Sequence, residues 1–104
     1  MSFGIPEQSL KMIQEAIARF PEIEQAVIFG SRAMGNYHKG SDIDMAIMGK
    51  NIDHQTETRL SARLNEELPL PYFFDIVDFT HLSHPKLAEH IKKYGRPVYT
   101  RNEI

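Results

Sequence analysis

Two aspartates one residue apart, Asp42 and Asp44, open the apolar run Met45-Ala46-Ile47-Met48. On a strand, side chains alternate between faces, so both carboxylates point one way while Ile43, Met45 and Ile47 point to the opposite, core side. Their Cα atoms then stand roughly 6.5–7 Å apart. Two carboxylates on one face of an apolar strand repel each other and lose hydration, so each needs a cation or several hydrogen bonds. Paired divalent ions about 3.5–4 Å apart would bridge them, and an oxygen-only ligand set favours Mg2+ or Mn2+ over zinc. Taken alone, an Asp-x-Asp is equally compatible with a turn cap followed by a solvated strand residue.

The segment upstream shifts that balance. Ala26-Val27-Ile28-Phe29 is a short continuous apolar run that ends at Gly30-Ser31-Arg32. A residue without Cβ lets a phosphate approach the backbone, and the following N–H groups, at a helix start, favour an anion. Ser31 offers a hydroxyl donor, and Arg32 a charge-assisted one if it points inward. Ser41, directly before Asp42, belongs to the same candidate nucleotide-binding set of Gly30, Ser31, Arg32 and Ser41. A third carboxylate comes from Phe73-Phe74-Asp75-Ile76-Val77-Asp78-Phe79. Asp75 and Asp78 fall on opposite faces of a strand. Asp75, between Phe74 and Ile76, is taken as the third ligand and the more enclosed of the two, with Asp78 in a capping or surface role near the strand end. The candidate metal-binding and catalytic residues are therefore Asp42, Asp44 and Asp75.

The elements that position these residues are readable from periodicity. A helix runs from Pro6 to about Phe20, with Leu10, Ile13, Ile17 and Phe20 on its apolar face. Glu24 to Phe29 is a strand buried on both faces. A turn-rich segment leads to a second strand, Asp42 to Met48. Asp53 caps a helix through about Leu68, striped by Leu60, Leu64 and Leu68. Tyr72 to Phe79 is the third strand. Ser83 with Pro85 opens a last helix that ends at Gly95 as a left-handed C′ residue. Pro97-Val98-Tyr99 adds a short edge strand, whose open edge near Val98 offers a route to oligomers. Helices interleaved with strands define an α/β (α+β) layer, a small mixed sheet with helices packed against it.

With 104 residues, residues 1–104 form one domain. The formal net charge of -2 argues against a broad nucleic-acid-binding surface, which is normally basic. No cysteine is present, which excludes disulfides, thiolate zinc sites and a cysteine nucleophile. Neither a leader-like N-terminus nor a membrane-length apolar run is visible, so a soluble, cytoplasmic protein is expected. His38, His54, His81, His84 and His90 show no zinc-ligand spacing. Lys39 reads as a solvated turn residue that could touch phosphate.

The composite Gly30-Ser31-Arg32-Ala33-Met34-Gly35 … Gly40-Ser41-Asp42-Ile43-Asp44-Met45-Ala46-Ile47, with Phe74-Asp75-Ile76-Val77-Asp78 downstream, resembles the signature of the minimal nucleotidyltransferases. These belong to the DNA polymerase β-like nucleotidyltransferase superfamily. The resemblance covers about Glu24 to Tyr99 and departs from the pattern at none of the motif positions. It implies a Mg2+-dependent transfer of AMP from ATP to a hydroxyl, with two ions at Asp42 and Asp44 and Asp75 on the catalytic ion only. It further implies a helical HEPN-domain partner in a toxin–antitoxin pair, in which a partner tyrosine receives the AMP. An antitoxin acting by occlusion and a small-molecule nucleotidyltransferase remain open beside that reading.

Overall fold

A computed structural model describes residues 3–38 and 40–101; Lys39, read above as a solvated turn residue, lies outside the described residues. The chain alternates in the expected order: α1 (Glu7–Ala18), β1 (Gln25–Phe29), α2 (Ser31–Met34), β2 (Ile43–Met48), α3 (His54–Ala62), β3 (Phe74–Asp78), α4 (Pro85–Tyr94) and β4 (Arg96–Thr100). The four strands form one mixed sheet in the order β3-β2-β1-β4. β1 pairs antiparallel with both β2 and β4, whereas β2 and β3 run parallel.

Apolar periodicity explains the layers. In α1, Ile13 and Ile17 are fully buried at helical spacing, and in α3 Leu60 is as well. They pack on one face of the sheet against Ile28, Met45, Ile47 and Ile76. The other face carries Val27, Phe29 and Ala46, covered by Ile91 and Leu87 of α4. Because both faces are covered, Ala26 to Phe29 is buried throughout, as expected of a continuous apolar run. No helix among the described residues is long and apolar enough to cross a membrane.

Several boundaries are set by capping. Asp53 caps α3 as expected, accepting from the Thr56 N–H at 3.0 Å in a reciprocal capping box. The helix does not run evenly to Leu68, because Arg63–Glu67 form a wider π-helical turn. α4 is capped by the His84 ring, which accepts from the Leu87 N–H, rather than by Ser83. Gly95 differs from the expected left-handed residue, since its backbone is extended at φ -63° and ψ 139°. Its lack of a Cβ serves close packing instead, because a Cβ there would strike the Ile91 carbonyl.

The wide turn has a consequence for β3. β3 is an edge strand, and the backbone of Phe74 faces away from β2 while the neighbouring Phe73 carbonyl accepts from Ile43 N–H. Asn65, carried by the wide turn, satisfies that edge. Its Oδ1 accepts from Phe74 N–H at 2.7 Å and its Nδ2 donates to Phe74 O at 3.0 Å. One side chain thus stands in for a missing strand immediately before Asp75. Asn65→Ala leaves both backbone groups of a buried residue without a partner, which should cost about 1–3 kcal/mol. A lowered urea midpoint and faster hydrogen exchange at the Phe74 amide check it, and an unchanged midpoint would show that the edge needs no such support.

Candidate active site

The register of the sheet builds the site. In the parallel β2–β3 pair Asp44 stands opposite Asp75, and in the antiparallel β1–β2 pair Asp44 stands opposite Phe29. Asp42 lies one residue before β2 and is exposed, Asp44 is half-buried, and Asp75 is exposed. Asp75 is therefore not the more enclosed acid, as its apolar neighbours in sequence suggest; it lies on a strand face left open beside Asp44. Asp78 is the more sheltered acid, with its side chain 14% exposed. It accepts from the His81 ring Nδ1 at 2.7 Å and from the His81 backbone N–H at 3.4 Å, a local turn contact.

Burial pushes the Asp44 carboxyl above its ordinary value of 3.8, the Asp75 and Asp42 carboxylates push it further, and His90 acts in the opposite sense. Like charges that face one another lose hydration together, which is the condition a divalent cation relieves. The donor set, three carboxylates and no sulfur, fits a hard, oxygen-seeking ion such as Mg2+. Among the described residues, no three His, Cys, Asp or Glu side chains stand close enough together to enclose an ion.

Gly30 is required by this arrangement. It adopts φ +75° before α2, and a Cβ built there would meet Asp44 Oδ2. The glycine therefore admits the carboxylate itself as well as leaving backbone open. α2 is a single turn of four residues with no side-chain cap at its start. A helix so short carries only a small macrodipole, so the anion-favouring property expected of it reduces to the local N–H groups of Ser31 and its neighbours.

Arg32 and Ser41 are placed differently from the expectation. Arg32 is only 3% exposed. Its Nε and Nη2 donate to the Ser41 carbonyl at 3.2 and 2.9 Å, and its Nη1 donates to the Phe3 carbonyl at 3.0 Å. The guanidinium also lies 5.0 Å from the Tyr37 ring and 5.1 Å from the Tyr72 ring. It is absent from the charges acting on Asp44. Arg32 is thus a buried tie that fastens the loop before β2, not a donor turned toward the carboxylates. The Ser41 hydroxyl accepts from His38 N–H at 2.7 Å and closes the same loop.

His90, on α4, is the residue that sequence spacing passed over. Its ring meets Phe29 edge-on at 6.0 Å and Tyr94 at 5.1 Å, and it acts on Asp44. Its signal is its position directly before Ile91, which is the buried residue of α4. That places it at the border of the packed face.

Adjacent carboxylates on parallel strands, with a glycine-opened turn against one of them, define a nucleotidyl-transfer class of domain. The family model described as polymerase beta, nucleotidyltransferase matches residues 11–104, and the chain belongs to that family. A toxin–antitoxin crystallised with AMP-PNP superimposes with a TM-score of 0.70 at 21% identity, over 94% of this chain and 76% of that one. The toxin–antitoxin MntA-HepT gives 0.68 at 18% identity, over 92% and 74%. A protein from Sulfolobus solfataricus described as a nucleotidyltransferase gives 0.56 at 22% identity, over 89% and 78%. At these identities the likeness is one of fold. No curated protein matches the chain.

Two outcomes follow from the geometry. Gly30→Ala forces a strained backbone conformation costing about 1–3 kcal/mol and displaces the Asp44 carboxylate. A lower urea midpoint together with weakened Mn2+ binding is expected, whereas wild-type Mn2+ affinity would show that the close approach is dispensable. For Asp44, the raised folded-state pKa means that the native state binds its proton more tightly than the unfolded chain. The resulting penalty is absent below about pH 3.8, the ordinary value. It grows as pH rises through the folded-state value and is complete above it. Metal-free Asp44→Asn should therefore melt at a higher temperature than wild type at pH 7, with the gap closing toward pH 3.5 and shrinking on addition of Mg2+. An equal gap at both pH values would show that the difference does not come from ionisation.

Proposed function

We propose that this chain transfers AMP from ATP to a hydroxyl group, with Asp42, Asp44 and Asp75 as its catalytic and metal-binding carboxylates. The observation that carries this reading is Asp44 in register with Asp75, packed against the bare Cα of Gly30. Two Mg2+ ions, when bound, would neutralise the triphosphate and lower the cost of forming an oxyanion. Asp42 and Asp44 would hold both ions, and Asp75 only the one nearer the acceptor. Gly30 and Ser31 would present backbone N–H groups and a hydroxyl to phosphate oxygens.

Asp75, exposed on the edge strand β3, would take the proton of the attacking hydroxyl. A bond forms between the hydroxyl oxygen and the α-phosphorus, and the bond from that phosphorus to the bridging oxygen of pyrophosphate breaks. The protein contributes mainly by positioning and by charge.

The fold likeness to antitoxin-containing complexes, one of them crystallised with AMP-PNP, supports an antitoxin role for this chain. The acceptor would be a tyrosine hydroxyl of a helical HEPN-domain partner. With ATP as donor, the reaction would be cytoplasmic. Mixing the chain with its candidate partner, ATP and Mg2+ should raise the partner's intact mass by whole AMP units. The gain should vanish with Asp44→Asn, at a loss of at least about a hundredfold in rate. Neutralisation of the partner without a mass change, undiminished in Asp44→Asn, would establish occlusion instead.

A further inference from the structure

The distal phosphates of a nucleoside triphosphate need cations, and Arg32, the cation of the Gly-Ser-Arg motif, is committed to the carbonyls of Phe3 and Ser41. Other cations stand beside the same turn. Ala33 and Met34 of α2 face Lys93, Tyr94, Gly95 and Arg96 across a cavity of about 390 Å³. The two basic residues come from the end of α4 and the start of β4.

Neither is in an ion pair among the described residues, whose ion pairs are Arg63–Glu67 and His81–Asp78. Arg96 donates through Nε to the Ala33 carbonyl at 3.2 Å. That bond fixes the guanidinium against α2 and leaves its terminal amino groups without a hydrogen bond among the described residues. The Lys93 ammonium lies 5.4 Å from the Tyr94 ring, which confines its stem without removing its charge.

A chain of packed residues links the cavity to the carboxylate site. Asp44 pairs across the sheet with Phe29, the Phe29 ring meets His90, and His90 meets Tyr94, which lines the cavity. α2 is one turn long, so the cavity lies within about 5–6 Å along the helix axis of the residue that follows Gly30. Arg96 also stands opposite Ile28, one position along β1 from Phe29.

We infer that Lys93 and Arg96 form a subsite for the distal phosphates of the nucleoside triphosphate, the part that leaves as pyrophosphate. The inference rests on the nucleotide-transfer reading above and assigns that reading its missing cations. A charge-assisted bond from each would add affinity for triphosphate and none for a monophosphate.

Calorimetric titration of the full chain with AMP-PNP and with AMP, both in Mg2+, tests it with Lys93→Ala, Arg96→Gln and the double variant. Each single variant should weaken AMP-PNP binding about tenfold, with AMP affinity unchanged. The Lys93 side chain makes no hydrogen bond to the backbone among the described residues, so Lys93→Ala separates ligand contact from any disturbance of α2 in Arg96→Gln. Undiminished AMP-PNP affinity in Lys93→Ala and in the double variant would overturn the subsite while leaving the transfer reading intact. Equal losses for AMP-PNP and AMP would also overturn it. A wild-type chain that binds neither nucleotide would remove the transfer reading, and the subsite with it.

Discussion

The parallel pairing of β2 with β3 sets Asp44 beside Asp75 and holds two like charges at one level of the sheet. Backbone hydrogen bonds fix that level, so the carboxylates cannot drift apart without breaking the ladder. Much of the surrounding structure serves to keep this register. Asn65 satisfies the outer edge of β3 one residue before Asp75. Gly30 gives Asp44 room on the other side. The burial and the like-charge repulsion that together raise the Asp44 pKa are a local instability that the fold tolerates because packing elsewhere determines the backbone.

Arg32 shows how that determination reaches the loop between α2 and β2. A buried guanidinium needs hydrogen-bond acceptors to be tolerated. Here three of its donors reach backbone carbonyls, and two aromatic rings flank its faces. The tie joins the N-terminal segment at Phe3 to the residue directly before Asp42. It fixes where β2 begins, and so which residue reaches the row of Asp75. Arginine suits this task because its planar fork can serve two carbonyls at once.

The layered fold was readable because its signals are local: helical spacing in α1 and α3, a continuous apolar run in β1, and a capping aspartate at α3. The Asp42 and Asp44 pair was readable for the same reason, since a strand's alternation is intrinsic to its backbone. What escaped reading depends on tertiary direction. Arg32 follows Gly30-Ser31 whether it points to phosphate or to the body of the protein, and only the position of Phe3, Tyr37 and Tyr72 decides. Asp75 looks enclosed between Phe74 and Ile76, yet those neighbours point to the opposite face, and its own face is open. His90, Lys93 and Arg96 carry no motif. What they touch depends on where α4 and the start of β4 pack, which no local pattern shows.

That packing ties the two ends of the site together. α4 covers Val27, Phe29, Ala46 and Val77 with Ile91 and Leu87, and its border residue His90 lies against Phe29, while in the row of the acids Asp44 stays half-buried and Asp75 exposed. Had the helix covered that row, the carboxylates would lose their remaining hydration, and the repulsion between them would grow as the local dielectric fell. Had it lain farther back, the apolar row behind would be exposed. The helix then ends at Gly95, where a side chain would strike the Ile91 carbonyl and Val27, and the chain turns at once into β4. Because β4 pairs with β1 so that Arg96 stands opposite Ile28, Arg96 enters the sheet one position from the level of Phe29 and Asp44. The same helix stop that limits burial of the acids therefore sets where Lys93 and Arg96 stand.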